Sequence, residues 1–156
     1  MRRAVFLLTT AAALAAMLAF AGPALAQTDA DDSLPTNDNP PVTVLQTELS
    51  GAEEAPGPGD PDGSGSATII VIPPDTICYV LTAENIAPAT AAHIHEAPPG
   101  VPGDVVVPLN APTFGASGGC TQANPEVVSG LQENPDEYYV NVHNEDYPAG
   151  AIRGQL

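Results

Sequence analysis

"YYVNVHNEDYPAGAIRGQL", residues 138–156, is the stretch whose reading decides the fold. Over residues 138–143, Val140 and Val142 point one way while Tyr139, Asn141 and His143 point the other, the period of two expected of a half-buried strand. "NEDYPAG" then turns the chain into residues 151–156, where Ile152 and Leu156 point inward and Arg153 and Gln155 outward. The two segments read as an antiparallel hairpin. If Asn141 lies opposite Arg153, then Tyr139 lies opposite Gln155, and the outward face carries a ladder of polar cross-strand pairs.

Working back from that hairpin, the chain holds more short segments rich in β-branched or aromatic residues: 42–50, 66–72, 76–84, 90–95 and 104–109. With 138–143 and 150–156 they make seven expected strands. Prolines interrupt nearly every stretch long enough for three helical turns, so helical periodicity is scarce. The expected class is therefore all-β, a two-layer antiparallel sandwich or Greek-key barrel. "PGPGDPDGSG", residues 56–65, reads as a mobile loop between the first two strands. Its Asp60-x-Asp62-Gly63 matches only the start of a calcium loop, without the later ligands or the closing glutamate.

The N-terminus reads differently. Arg2 and Arg3 precede an apolar run from Ala4 to Ala21 and a small-x-small signal at Ala24-Leu25-Ala26, the pattern of an export signal cut after residue 26. About 18 apolar residues nearly span a bilayer, but the cleavage signal and the polar stretch after it favour removal, leaving no membrane span. Residues 27–41 are acidic and rich in Asn, Asp and Pro, and read as a disordered linker. Residues 42–156 form one domain of ordinary size.

After residue 26 there are nineteen acidic residues against Arg153 alone, a formal charge of −18, and no lysine. Such a surface repels nucleic acid and anionic lipid and suits cations or basic partners. Cys78 and Cys120 are the only cysteines, and in an oxidising compartment they read as one disulfide. Closing that 42-residue separation contributes roughly 4 kcal/mol on the chain-entropy model.

Candidate chemistry centres on "TAAHIHEAPPG", residues 90–100. Ala92 and Ile94 share one face and His93 and His95 the other, so these two and His143 point outward, which weakens a core-histidine explanation. Alternating histidines put two imidazoles on one side of a strand, and a third from a neighbour completes a set for copper or zinc, with Glu96 or Glu145 as a further carboxylate. The competing reading is structural, with the imidazoles hydrogen-bonding to adjacent strands and loops. The sequence leaves both open. Gly115-Ala116-Ser117-Gly118-Gly119 matches a nucleophile-elbow pattern, but in a short β-rich domain it reads as a chance match in a flexible loop. Acid pairs such as Asp136-Glu137 and Glu145-Asp146 read as solvated turn charges, and Arg153 as a partner of acids or carbonyls in the terminal hairpin.

Three stretches, "LSGAEEAPGPGDPDGSGSATI", "ATAAHIHEAPPGVPGDVVVPL" and "YYVNVHNEDYPAGAIRGQL", together resemble the CHRD domain, named for the repeats of animal chordin and found singly in secreted bacterial proteins. The resemblance covers nearly all of residues 42–156. It implies an immunoglobulin-like or Greek-key β-sandwich and gives Tyr139, Asn141, Arg153 and Gln155 as a polar face of family-motif residues. Glu96-Ala97-Pro98-Pro99 departs from the pattern, where small or glycine-rich residues are more usual. In animal chordin the repeats belong to an extracellular antagonist of bone morphogenetic proteins, a partner that the resemblance does not carry over, since fold and function are separable. "AAHIHE" is locally similar to the His-x-His strand of copper/zinc superoxide dismutases, but the further histidines and the zinc aspartate of that pattern are missing. The preferred expectation is a secreted, non-enzymatic module without a cofactor that binds an extracellular protein or envelope component. The alternative is copper or zinc bound by His93, His95 and His143, with dismutase-like chemistry as its extension.

Overall fold

A computed structural model describes residues 40–156. The expected signal peptide, residues 1–26, and the linker as far as residue 39 lie outside the described residues. Eight strands follow in order: β1 Thr43–Ser50, β2 Ser64–Ile72, β3 Thr76–Glu84, β4 Ala91–Glu96, β5 Asp104–Leu109, β6 Ala116–Gln122, β7 Tyr138–His143 and β8 Ile152–Gln155. Among the described residues one α-helix, α1 Pro125–Glu133, lies between β6 and β7, followed by a single 3-10 turn at Pro135–Glu137.

All the strands are antiparallel, in the order β5-β4-β7-β8-β1-β2-β3-β6. β8 and β1 are joined only through Ser50 and Arg153. There the sheet divides into two four-stranded halves whose inner residues meet in a single core. One half supplies Leu49, Ile69, Val71, Ile77, Tyr79 and Leu81, and the other Ile94, Val107, Val140, Val142 and Ile152. Register is pinned because a slip by one residue would turn each apolar set outward. The expected sandwich-like all-β class and the disulfide are both present.

The cross-strand pairs expected from the terminal hairpin are the ones found, Asn141 with Arg153 and Tyr139 with Gln155. Elsewhere the structure departs from expectation. Instead of seven strands there are eight, because "ASGGCTQ" is not a flexible loop but the edge strand β6. It has no apolar alternation; seven pairings with β3 hold it, and Cys78 and Cys120, directly opposite each other in that register, form the disulfide. Within it Ser117 donates its hydroxyl to Asn110 O at 2.7 Å.

The helix was not expected either. Asn124 caps it by accepting from Glu126 N at 2.9 Å, Pro125 takes the first turn, and Val128 and Leu131 bury against the core. Gly130 is required there by contact, since a Cβ would run into Tyr138 Oη. The loop before β2 is not a loose hairpin tip. Asp60 N donates to Ala151 O at 2.9 Å and Gly59 N to Gly51 O at 2.8 Å, which draws the loop back over β8, and Gly51, Gly59, Asp60 and Gly63 are buried.

Ile94 sits at the centre of the core with no exposed surface. Ile94→Ala is expected to lower the unfolding free energy by about 2–5 kcal/mol. Val80→Ala, on the outer face of β3, is expected to change it by less than about 0.5 kcal/mol, both read by urea denaturation.

Candidate metal centre

β4, β7 and β8 set three rows of side chains on the face turned away from the core. His93 lies across from Asn141 and Asn141 from Arg153; His95 lies across from Tyr139 and Tyr139 from Gln155; His143 lies across from Ala91. Alternation thus put the histidines and the motif residues on the correct face. It did not put them in solvent, and that expectation needs correcting. His95 is 8 % exposed, Asn141 2 % and Arg153 1 %, and Tyr139 is buried too. His93, His143 and Gln155 are half-buried.

Two loops close over this face. Residues 97–103, between β4 and β5, are tied down by the motif side chains. Arg153 donates from Nη1 to Val101 O at 2.9 Å and from Nη2 to Pro98 O at 3.2 Å and Gln155 Oε1 at 3.1 Å. Gln155 Nε2 donates to Ala97 O at 3.0 Å, and Gly103 N donates to Tyr139 Oη at 3.0 Å. The guanidinium also lies 3.4 Å above the Tyr139 ring, which stacks in turn on the His95 ring at 4.7 Å. A buried charge with acceptors of this kind is a loop clamp. On the other side Glu54, from the segment after β1, accepts from Asn141 Nδ2 at 2.6 Å.

Glu54 did not figure among the residues expected from sequence. Burial raises its pKa from 4.5 to about 7, against the smaller opposing pull of Arg153 and a backbone bond from Ala55. Nothing in an acidic, proline-rich loop marks one glutamate as half-buried. Gly150 makes room for it: φ is 151° there, and a Cβ would run into Glu54 Oε2.

The three histidines converge. One ligand nitrogen from each lies within 4.8 Å of the other two. His95 Nδ1 is 3.0 Å from Gly103 O and His143 Nδ1 is 3.2 Å from Pro148 O. A carbonyl only accepts, so both Nδ1 atoms carry hydrogen and both Nε2 atoms carry a lone pair. His93 Nδ1 stands 3.2 Å from His143 Nε2 and donates to it. His95 Nε2 is buried without any partner. The turn that presents Pro148 O is held by Asn144, whose Oδ1 accepts from Tyr147 N at 2.8 Å.

Each imidazole has a pKa below the ordinary 6.5, principally through burial. The charges of His143 and His95 add to this at His93, Arg153 adds to it at His95, and His95 adds to it at His143, while the carbonyl bonds of His95 and His143 oppose it. All three rings are therefore neutral at pH 7, the form that ligates a metal. Carbonyl anchoring of Nδ1 with Nε2 free is also the outer-shell arrangement typical of metal-ligating histidine. Ligand nitrogens around tetrahedral zinc stand roughly 3.3 Å apart for bonds of 2.0–2.1 Å. His93 Nδ1 and His143 Nε2, 3.2 Å apart, already match that spacing once the proton on His93 Nδ1 has moved to its Nε2, and the His95 nitrogen, within 4.8 Å of both, has to move inward. Glu96, at the exposed end of β4, and Glu145 are not among the converging groups.

The model of the CHRD domain family matches residues 45–156. No curated protein and no solved structure matches the chain. Among the described residues no helix is long and apolar enough to cross a membrane.

Because the Glu54 pKa is raised on folding, its contribution is fully present below pH 4.5 and is lost as pH rises through about 7. Glu54→Gln is therefore expected to match the wild type near pH 4.5, to gain stability relative to it as pH rises from 4.5 to about 7, and to hold that margin above 7. Urea denaturation across that pH range checks this.

Proposed function

The chain belongs to the CHRD domain family, and from that premise we propose that it is an exported, non-enzymatic extracellular module that binds one copper or zinc ion through His93, His95 and His143. The family and the disulfide both fit an extracellular protein. The observation that carries the metal reading is the buried, unpartnered Nε2 of His95, held within reach of nitrogens from the other two histidines. Leaving such an atom without a partner costs about 1–3 kcal/mol, and a bound ion removes that cost. Three imidazoles with no thiolate among them suit Cu(II) or Zn(II). The acidic surface raises the local concentration of cations.

Structural use of the same residues is part of this reading. His95 holds Gly103 through Nδ1 and offers Nε2 to the ion, so one ring serves both the loop and the metal. A protein-binding role is the second reading, favoured by a groove of about 490 Å³ beside the 97–103 loop. Glu96, Asp104 and Glu137 line it together with Val101, which is 45 % exposed, a combination suited to a basic partner.

Untagged protein titrated with Cu(II) or Zn(II) is expected to take up one ion per chain and to melt at higher temperature when loaded. His93→Ala, His95→Ala and His143→Ala are each expected to weaken binding at least about tenfold. Affinity should hold at pH 7 and fall only as pH drops below 6.5, because the lowered pKa values keep the rings neutral above it. Uptake that is substoichiometric, or unchanged in the three variants, contradicts the reading.

A further inference from the structure

Two buried side-chain atoms lack a hydrogen-bond partner among the described residues: His95 Nε2 and Asn141 Oδ1. A metal ion accounts for the first. The second has no account in the three-histidine set, yet its place on the sheet is specific. Asn141 lies directly across from His93, two residues from His143 on the same side of β7, and diagonal to His95, which pairs with the neighbouring Tyr139. It is the position on this face adjacent to all three ligands.

The orientation of the amide follows from its other end. Nδ2 donates to Glu54 Oε1 at 2.6 Å, and above about pH 7, where Glu54 is ionised, exchanging the two ends of the amide would set oxygen against the carboxylate. Oδ1 is left to accept, and what is missing beside it is a donor. Three imidazoles occupy three positions of a four-coordinate ion and leave one open. Water taken up there becomes a stronger hydrogen-bond donor, because the metal draws charge from its oxygen.

We propose that Asn141 Oδ1 accepts a hydrogen bond from a water molecule in the fourth position on the metal, so that the site is an open one that admits a small exchangeable ligand. This rests on the metal reading above and assigns Asn141 as a positioning residue for the bound ligand. Glu54 acts one step further out by fixing the amide, and the 2 % exposure of Asn141 keeps bulk water from competing for Oδ1.

The test uses the full chain loaded with Cu(II) and examined by pulsed electron paramagnetic resonance in ¹⁷O-enriched water. An equatorial water coupling is expected in the wild type. Asn141→Leu is expected to keep one copper per chain and, having lost the hydrogen bond that favours water, to bind azide about fivefold more tightly. Copper bound without an equatorial water, as when Oδ1 is itself the fourth ligand, overturns the inference while leaving the metal reading intact. Unchanged azide affinity in the variant also overturns it. Failure of the wild type to bind copper overturns both. The wild-type coupling decides the matter by itself if Asn141→Leu does not fold.

Discussion

Arg153 is 1 % exposed, and its guanidinium offers N–H donors and no acceptor. Taking such a group out of water is tolerable only if its N–H groups find acceptors. Here these are Pro98 O, Val101 O and Gln155 Oε1, with the Tyr139 ring beneath. That requirement folds the 97–103 loop across the outer face of β4, β7 and β8. A loop drawn down in this way covers His95, brings Gly103 O onto its Nδ1 and leaves Nε2 buried without a partner. The buried cation thus fixes the loop and, through Gly103, the His95 ring, while the register of β4 and β7 brings the three histidines together.

The arrangement gives the sandwich two interiors of different kinds. Between the two halves of the sheet lies an apolar core in which hydrophobic burial stabilises the fold. On the far side of β4, β7 and β8 lies a thin polar layer, built from hydrogen bonds between strand side chains and loop carbonyls. Such a layer is stable only when nearly every member is satisfied. Its two orphaned atoms, on His95 and Asn141, therefore stand out, and both lie at or beside the converging histidines.

Much of this was legible in the sequence, and the limits have physical causes. The alternation in "YYVNVH" and "AIRGQL" sets the faces and allows the register that pairs Asn141 with Arg153 and Tyr139 with Gln155, which is the one found. Alternation also separates Ile94 from His93 and His95. It says which face a residue is on but not what lies over that face, because the cover comes from loops, and Arg153 finds its carbonyls more than fifty residues away. After residue 26, a single arginine against nineteen acids, beside a proline-rich loop, was the available hint. β6 escaped notice because Gly118 and Gly119 carry no pattern and only β3 makes them a strand. α1 escaped because nine residues with two buried anchors show too little of the helical period. Glu54 owes its half-buried state to Gly150 and Asn141, both distant in sequence.

The proposed function of this face depends on a single ion shared by three imidazoles. Crystals soaked in zinc and measured on both sides of the zinc absorption edge locate that ion directly. The expected result is one anomalous peak per chain at about 2.0–2.1 Å from nitrogens of His93, His95 and His143, with the direct bond between His93 and His143 broken. Peaks only at surface carboxylates, with His93 Nδ1 still 3.2 Å from His143 Nε2, would contradict it and leave the histidines as structural supports of the loops.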